Sequence, residues 1–550
     1  MARNLLTNPD FEDGTGDSFT WWSRYAGGSA SYDEETSDVF SGSRCFKMVT
    51  NGSDACYLYQ NCGCEVGQEY TISFWAKRVS GDAAFYLWGP FLTGNVPLTN
   101  EWKKYSYTGI CTATEYALGP HFNRNTSTGV LLIDKVRCEP TPVKYAVMTL
   151  PLADDIASPD TDFFIEGFGT PKAAMVMMCN AEVGNPTVDH AVTSIGFWDG
   201  TTQHCSFTGL QNALSTSNSR RGAWTSKIAV ATLTTVQADY TIANVASSGV
   251  TITLATDATT RDRYATVIMW AGHDVEADVG YYDAADGSPV TGIGFRPDVL
   301  LTSTPGIAAS TSALSTYGIW SAGAAMWRPS LKQRVLGIYD LYNASTMDTA
   351  TLIDGDKMSM QVSSSVTWNS EFGGFTADGF KQTVSGSTGS DDTIWLALKL
   401  PGINVDIHDF QIPTSDGPDS VTGVGFKPGL LISFVGNETS LDTRATHLAA
   451  CYGASDGTNE GAHGFRSVDN VNTSNTGSNY SAALVAKPSP SGDIITTATV
   501  SSFDSDGYTL NWSNVSVKTQ NKYGFTIAFQ DPDDTKISFG NASGRILFKT

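Results

Sequence analysis

Two octapeptides constrain this chain more than any other feature. Val290-Thr-Gly-Ile-Gly-Phe-Arg-Pro297 recurs as Val421-Thr-Gly-Val-Gly-Phe-Lys-Pro428, at an offset of 421 − 290 = 131 residues. That is the length of a domain, not of a loop or a solenoid unit. Other landmarks keep nearly the same period. "FTADGF" (375–380) returns as "FDSDGY" (503–508), and "VASSGV" (245–250) echoes both. Each is followed by an apolar run: "YATVIMWAG", "DTIWLALKLPG" and "YGFTIAFQD". An aromatic-rich middle also recurs, as "SIGFWDG", "YGIWSAG" and "LAACYGASDG", while the opening motif of the first copy is reduced to "IEGFGTP" (165–171). Landmarks in one order at one spacing predict three copies of one fold.

The copies read as β-structure. "GFRPDVLL" and "GFKPGLLI" leave a turn at Pro and continue as a Val/Leu run, and Pro at a strand start costs no ladder bond. "ADGF" and "SDGY" carry the turn dipeptide that a hairpin needs. The closing runs are short, β-branched and aromatic, as buried strands are. With 53 Gly among 550 residues and charged residues at only 16 %, the composition is also that of a turn-rich β protein. The expected class is all-β, with three tandem antiparallel β-sandwich repeats over 146–273, 274–403 and 404–550, the last with a C-terminal tail.

Charge narrows the partners. Lys+Arg 34 against Asp+Glu 56 gives a net charge of −22. A field of that sign repels phosphate backbones, so nucleic acid is not expected as a partner. No run of 18 apolar residues occurs, so no membrane insertion is expected. The start, "MARNLLTNPDFEDG", has no apolar h-region, which predicts a protein made in the cytoplasm without a signal peptide. Six of the nine cysteines lie in the first 140 residues. Cys62-Gly-Cys64 is too close for a usual zinc pair, and reduced, mostly buried thiols are expected. Two residues of an extended strand also hold their Cα atoms too far apart for a Cys62–Cys64 bridge. No histidine sits in a metal-binding spacing, and no nucleophile elbow is present, so no catalytic residue is assigned. Two Asp-rich loops, "ADDIASPDTD" and "DPDDT", leave a glycosidase as an alternative.

The N-terminal strings differ from the repeats. "NLLTNPDFEDG" (4–14), "SGSRCFKMVT" (41–50), "YLYQNCGCEVGQEYTISFWAKRVSG" (57–81), "LTNEWKKYSYTG" (98–109) and "GVLLIDKVRCEP" (129–140) follow one another. In that order they resemble the jelly-roll carbohydrate-binding modules attached to xylanases and cellulases, which also occur on phage virion proteins, and the resemblance implies an N-terminal jelly-roll β-sandwich over 1–145. The "GFxPxxLL" copies resemble β-modules of phage structural proteins. The resemblance implies a glycan-binding module on a virion surface protein, tail-fibre-like or an appendage. Its partners would be other virion proteins and a host-surface glycan, and a homo-oligomer, a trimer for a fibre, is expected. A capsid decoration protein and a carbohydrate-active enzyme are the alternatives. Exposed aromatics stack on the apolar faces of sugar rings. The candidates are Trp21, Trp22, Tyr25, Tyr57, Tyr59, Trp75, Tyr86 and Trp88, with the tandem Trp21-Trp22 favoured because strand neighbours face opposite ways. The family usually carries a structural calcium; carried over, Glu12 and Asp134 would supply its carboxylates.

Overall fold

The computed structural model describes residues 4–532 except 55, 65–68, 89–95, 112–120, 125–127, 166–167, 183–184, 247, 259–260, 284–286, 328–329, 363–365 and 387–390. Among the described residues the regular structure is β-strand, and no helix is long and apolar enough to cross a membrane. Contacts divide the chain into two units. One is Met1–Pro142 with Gly272–Asp274; the other is Val143–Ala271 with Val275–Thr550.

The N-terminal unit is a sandwich of two antiparallel sheets. One runs in the order Ser31–Glu35, Cys45–Asn51, Thr128–Pro140, Glu69–Gly81, Lys103–Ile110. The other runs Ser23–Ala26, Cys56–Tyr59, His121–Arg124, Phe85–Trp88. Alternation along each strand decides what faces inward. Cys56 and Leu58 are buried while Tyr57 and Tyr59 are not; Ile72 and Phe74 are buried between half-exposed Ser73 and Trp75. Phe74 meets Phe122 edge-on at 4.9 Å across the sandwich.

The second unit carries three sets of eleven strands in one order, over residues 144–271, 276–399 and 405–530. In the first set, six strands form a sheet ordered Lys144–Pro151, Arg263–Ala271, Pro171–Glu182, Ala191–Trp198, Gln203–Leu210, Ser219–Trp224. A second sheet runs Asp160–Phe164, Gly249–Asp257, Val236–Ala246, Ala229–Thr232. Corresponding strands of the other two sets pair in the same order. The duplicated motifs are two halves of one device. Asp378 accepts the N–H groups of Gly292 (2.9 Å) and Gly294 (2.6 Å), and Asp506 accepts those of Gly423 (3.2 Å) and Gly425 (2.7 Å). All four glycines have φ between 80° and 88°, which explains why glycine stands there. In the first copy Ser248 replaces the aspartate, and its carbonyl accepts Ile165 N (2.7 Å).

The three sandwiches are not beads on a string. Each six-stranded sheet gains a seventh strand from another copy. Ser315–Thr316 of the second adds to Ser219–Trp224 of the first. Ala445–Thr446 of the third adds to Thr349–Asp354 of the second. Thr187–Asp189 of the first adds to Thr476–Ser481 of the third, which closes a ring. Loops at 211–218, 341–348 and 468–475 bond to one another in the same cyclic sense: Ser217 N to Ala344 O (3.0 Å), Met347 N to Val471 O (2.9 Å), and Ser474 N to Leu214 O (2.8 Å). The inner sheet faces share one core that includes Trp270, Trp320, Phe434 and Tyr452. The Tyr452 hydroxyl donates to Met178 O and accepts from Thr193 Oγ1, both at 2.7 Å, and Trp320 Nε1 donates to Ser206 Oγ at 2.8 Å. Edge strands that would invite aggregation are thereby paired within one chain.

Candidate functional site

The four-stranded sheet of the N-terminal unit collects most of the expected aromatics. Its register sets Tyr25, Tyr57, Asn123 and Tyr86 in one row across the strands. The adjacent row, two residues along, is Ser23, Tyr59, His121 and Trp88. Tyr25 is 47 % exposed and stacks on Tyr57 at 5.1 Å and 20°, and Tyr57 meets Tyr59 at 6.0 Å. The opposite face of these strands is core, so period-two alternation makes the tyrosine face an outer one. The side chains of His121 and Trp88 lie outside the described residues.

The tandem tryptophans divide. Trp21 is 66 % exposed with φ 75°, whereas Trp22 is 4 % exposed. Trp22 packs on Phe11 at 5.1 Å and donates Nε1–H to Asn8 O at 2.9 Å, so it is a core residue with no ring face for a sugar. Trp75 is corrected likewise. It stands on the five-stranded sheet, away from the tyrosines, and the ring of Phe40 covers it at 3.7 Å and 13°.

Glu12 and Asp134 both anchor the segment 40–44. Asp134 Oδ2 accepts Phe40 N (3.1 Å) and Ser41 N (3.0 Å), and Oδ1 accepts Lys135 N (2.7 Å). Glu12 Oε1 accepts Ser43 N (2.9 Å) and Oε2 accepts Ser43 Oγ (2.5 Å). Burial pushes the Asp134 carboxyl up to about 6, while Glu12, despite some burial that acts upward, is held below its usual value by the Ser43 hydroxyl and N–H. Every one of these four oxygens already faces a donor. That set fits an N–H cradle better than a cation cage, which needs oxygens free to turn toward an ion.

The second unit holds a cleft that the sequence reading missed. It measures about 430 Å³ and is lined by Arg296, Asp298, Trp327, Phe375, Asn404 and Val405, among others. Trp327 is 40 % exposed, and its ring lies over Gly374, where a Cβ would come within 2.9 Å of it. The cleft exists because the ring of sandwiches is not perfectly symmetric. At the turn after Trp198 and Ser455 the first and third copies place Asp199 and Asp456, which accept Val279 N (3.0 Å) and Val147 N (2.9 Å) of the next copy. The second copy places Trp327 there, and the ion pairs Lys332–Asp406 (2.6 Å) and Arg334–Asp409 (2.7 Å) take over the junction. A second difference opens the space. Tyr145 pairs with Trp270 and Val405 with Phe529 at the same register. The Tyr145 hydroxyl fills its junction, donating to Gln530 O above Gly429, whereas Val405 is too short to do so. The signal was present in the three turns "WDGTTQ", "MWRPSLK" and "SDGTNE", once aligned by repeat.

No protein-family model matches the chain, and no curated protein does. Three solved structures each match about a quarter of it. The CBM22-1 xylan-binding domain of Paenibacillus barcinonensis Xyn10C aligns at 16 % identity and TM-score 0.21, over 25 % of this chain and 94 % of that one. The family 11 carbohydrate-binding module of the cellulosomal cellulase Lic26A-Cel5E of Clostridium thermocellum aligns at 13 % identity and TM-score 0.19, with the same two coverages. The enzymatically active domain of tailspike protein 4 of bacteriophage CBA120 aligns at 19 % identity and TM-score 0.20, over 25 % of this chain, and the match spans only 21 % of that chain.

Proposed function

We propose that this chain is a glycan-binding protein of a phage virion surface, tail-fibre-like or an appendage, which contacts a host-surface glycan through its N-terminal module. The observation that carries the reading is the outer sheet face on which Tyr25, Tyr57, Tyr59 and Tyr86 stand in register. Two stacked, half-exposed rings at one spot are a costly use of apolar surface unless something covers them. The virion context rests on the resemblance of the N-terminal strings and the repeats to phage modules. A glycan array with the full chain tests the reading. Binding that Tyr57→Ala abolishes supports it, and an array without a single bound glycan removes it. Copy number per particle separates an appendage, present in a few to tens of copies, from a decoration protein spread over the capsid. Release of sugar from host polysaccharide would move the reading to a carbohydrate-active enzyme.

The cleft at Trp327 is a second contact of the same chemistry, with a ring for stacking and Arg296 and Asp298 for hydroxyls. Val405→Tyr, which copies Tyr145, is expected to close it and to remove any saccharide binding that Trp327→Ala also removes, as read by calorimetry on the full chain. A homotrimer of the whole chain remains a proposal; light scattering in solution decides it. Calcium bound by Glu12 and Asp134 is likewise a proposal. Adding calcium to chelator-treated protein should raise the melting temperature of the N-terminal unit if the ion binds. An unchanged temperature leaves the N–H cradle as the whole anchor.

A further inference from the structure

Several of the cysteines find ordinary partners. Cys45 donates to Asp38 O, Cys56 to Ser31 O and Cys179 to Asn479 O. Three others find one another. Cys62 Sγ lies 3.5 Å from Cys64 Sγ, Cys64 Sγ lies 3.9 Å from Cys138 Sγ, and all three sulfurs are within 4.8 Å of each other. No bond joins any of the nine cysteines. Spacing in the sequence argues against a zinc pair made by Cys62 and Cys64 alone. The fold adds Cys138 from the strand Thr128–Pro140, more than seventy positions away.

The geometry points to a metal: we propose that Cys62, Cys64 and Cys138 form a three-thiolate site for zinc. Zinc–thiolate bonds of about 2.3 Å in a tetrahedron put sulfurs about 3.8 Å apart, and the separations of 3.5 and 3.9 Å lie on either side of that value. Softness of the donor set excludes calcium and magnesium in favour of a thiophilic ion. Gly63, with φ 74° and nothing near its missing Cβ, makes the turn that aims both neighbouring thiols at Cys138. Cys138 is itself fixed, since its N–H donates to Asn4 Oδ1 (3.0 Å) and its carbonyl accepts Leu5 N (2.8 Å). The site would therefore tie the segment after Cys56–Tyr59 to both the last strand and the first residues of the module. Cys64 and Cys138 are buried, and Cys62 is half-buried, so the fourth position of the ion falls on the solvent side. Binding displaces the thiol protons to solvent and weakens as pH falls.

Cobalt(II) reports the site directly. The full chain, purified under reduction, is titrated with cobalt(II) and then with zinc(II). The expected result is the intense near-ultraviolet thiolate-to-cobalt band with the red bands of a tetrahedral ion, saturating at one ion per chain and lost on adding one equivalent of zinc. Cys62→Ser and Cys138→Ser should each remove the bands, and Cys45→Ser, a buried cysteine outside the cluster, should keep them. Circular dichroism of each variant separates loss of a ligand from loss of the fold. Absence of the bands in the reduced wild-type chain overturns the proposal. So does a disulfide between any two of the three sulfurs in protein isolated without exposure to oxidant.

Discussion

A chain ended at residue 403 is expected to lose the cooperative unfolding transition of both remaining sandwiches. The third copy covers their inner faces. Trp320 of the second copy meets Tyr452 at 5.9 Å and Phe465 at 6.1 Å. Thr193 and Met178 of the first bond to the Tyr452 hydroxyl, and Thr266 bonds to His463 at 2.9 Å. The first copy's own edge segment, Thr187–Asp189, would lose its sheet. Each large apolar side chain returned to water costs about 1.5–3 kcal/mol, so a handful exceeds the roughly 5–15 kcal/mol by which a domain is stable. Thermal melting and size-exclusion of residues 1–403 beside the full chain read the result. Two sandwiches that melt cooperatively without the third would mean that the ring closure is incidental to their stability.

Replacing Asp340 by Asn is expected to stabilise the second unit at pH 8 by about 2–4 kcal/mol and to change nothing at pH 4. Leu210, Asp340 and Ser467 end corresponding strands, opposite Ser219, Thr349 and Thr476. Asp340 is 3 % exposed and accepts Ser467 Oγ at 2.9 Å. Burial pushes its carboxyl from 3.8 up to about 7. Between those values the folded chain keeps a proton that the unfolded chain has released. Stability therefore falls as pH rises through that window, and the loss is complete above about 7. Asn resembles the protonated acid and titrates nowhere, so the difference between variant and parent should grow from pH 4 to 7 and then level off. Urea midpoints across pH measure it. A difference that does not vary with pH would show that the carboxyl is ionised in the fold.

What the sequence disclosed and what it hid have physical reasons. The Gly-x-Gly and Asp-Gly motifs were legible because turn chemistry is local: a positive φ demands Gly, and a carboxylate serves its two N–H groups. Tyr57 and Tyr59 were legible because alternation in a strand needs no tertiary knowledge. Which of Trp21 and Trp22 faces out was not, since it turns on the left-handed backbone at Trp21 and on Phe11 beneath its neighbour. Trp75 alternates as an exposed residue should, yet a loop carrying Phe40 folds over it. Ring closure was invisible because the exchanged segments, Thr187–Asp189, Ser315–Thr316 and Ala445–Thr446, are too short to show any periodicity. Cys138 could be joined to Cys62 and Cys64 only through the pairing of distant strands. Trp327 stood out only as a departure from its two counterparts.

The proposed contact with a glycan rests on stacked rings and not on charge. A protein of net charge −22 gains nothing at long range from an acidic bacterial surface, and screening removes what field there is within about 10 Å at 0.1 M salt. A stacked ring contributes on the order of 1 kcal/mol and is indifferent to salt. The direct measurement is the affinity of the full chain for its array-selected glycan at low and at high sodium chloride, beside Tyr25→Ala and Tyr57→Ala. The predicted result is an affinity that stays constant with salt and falls about five- to tenfold for each substitution. An affinity that drops steeply with salt and survives both substitutions would contradict it.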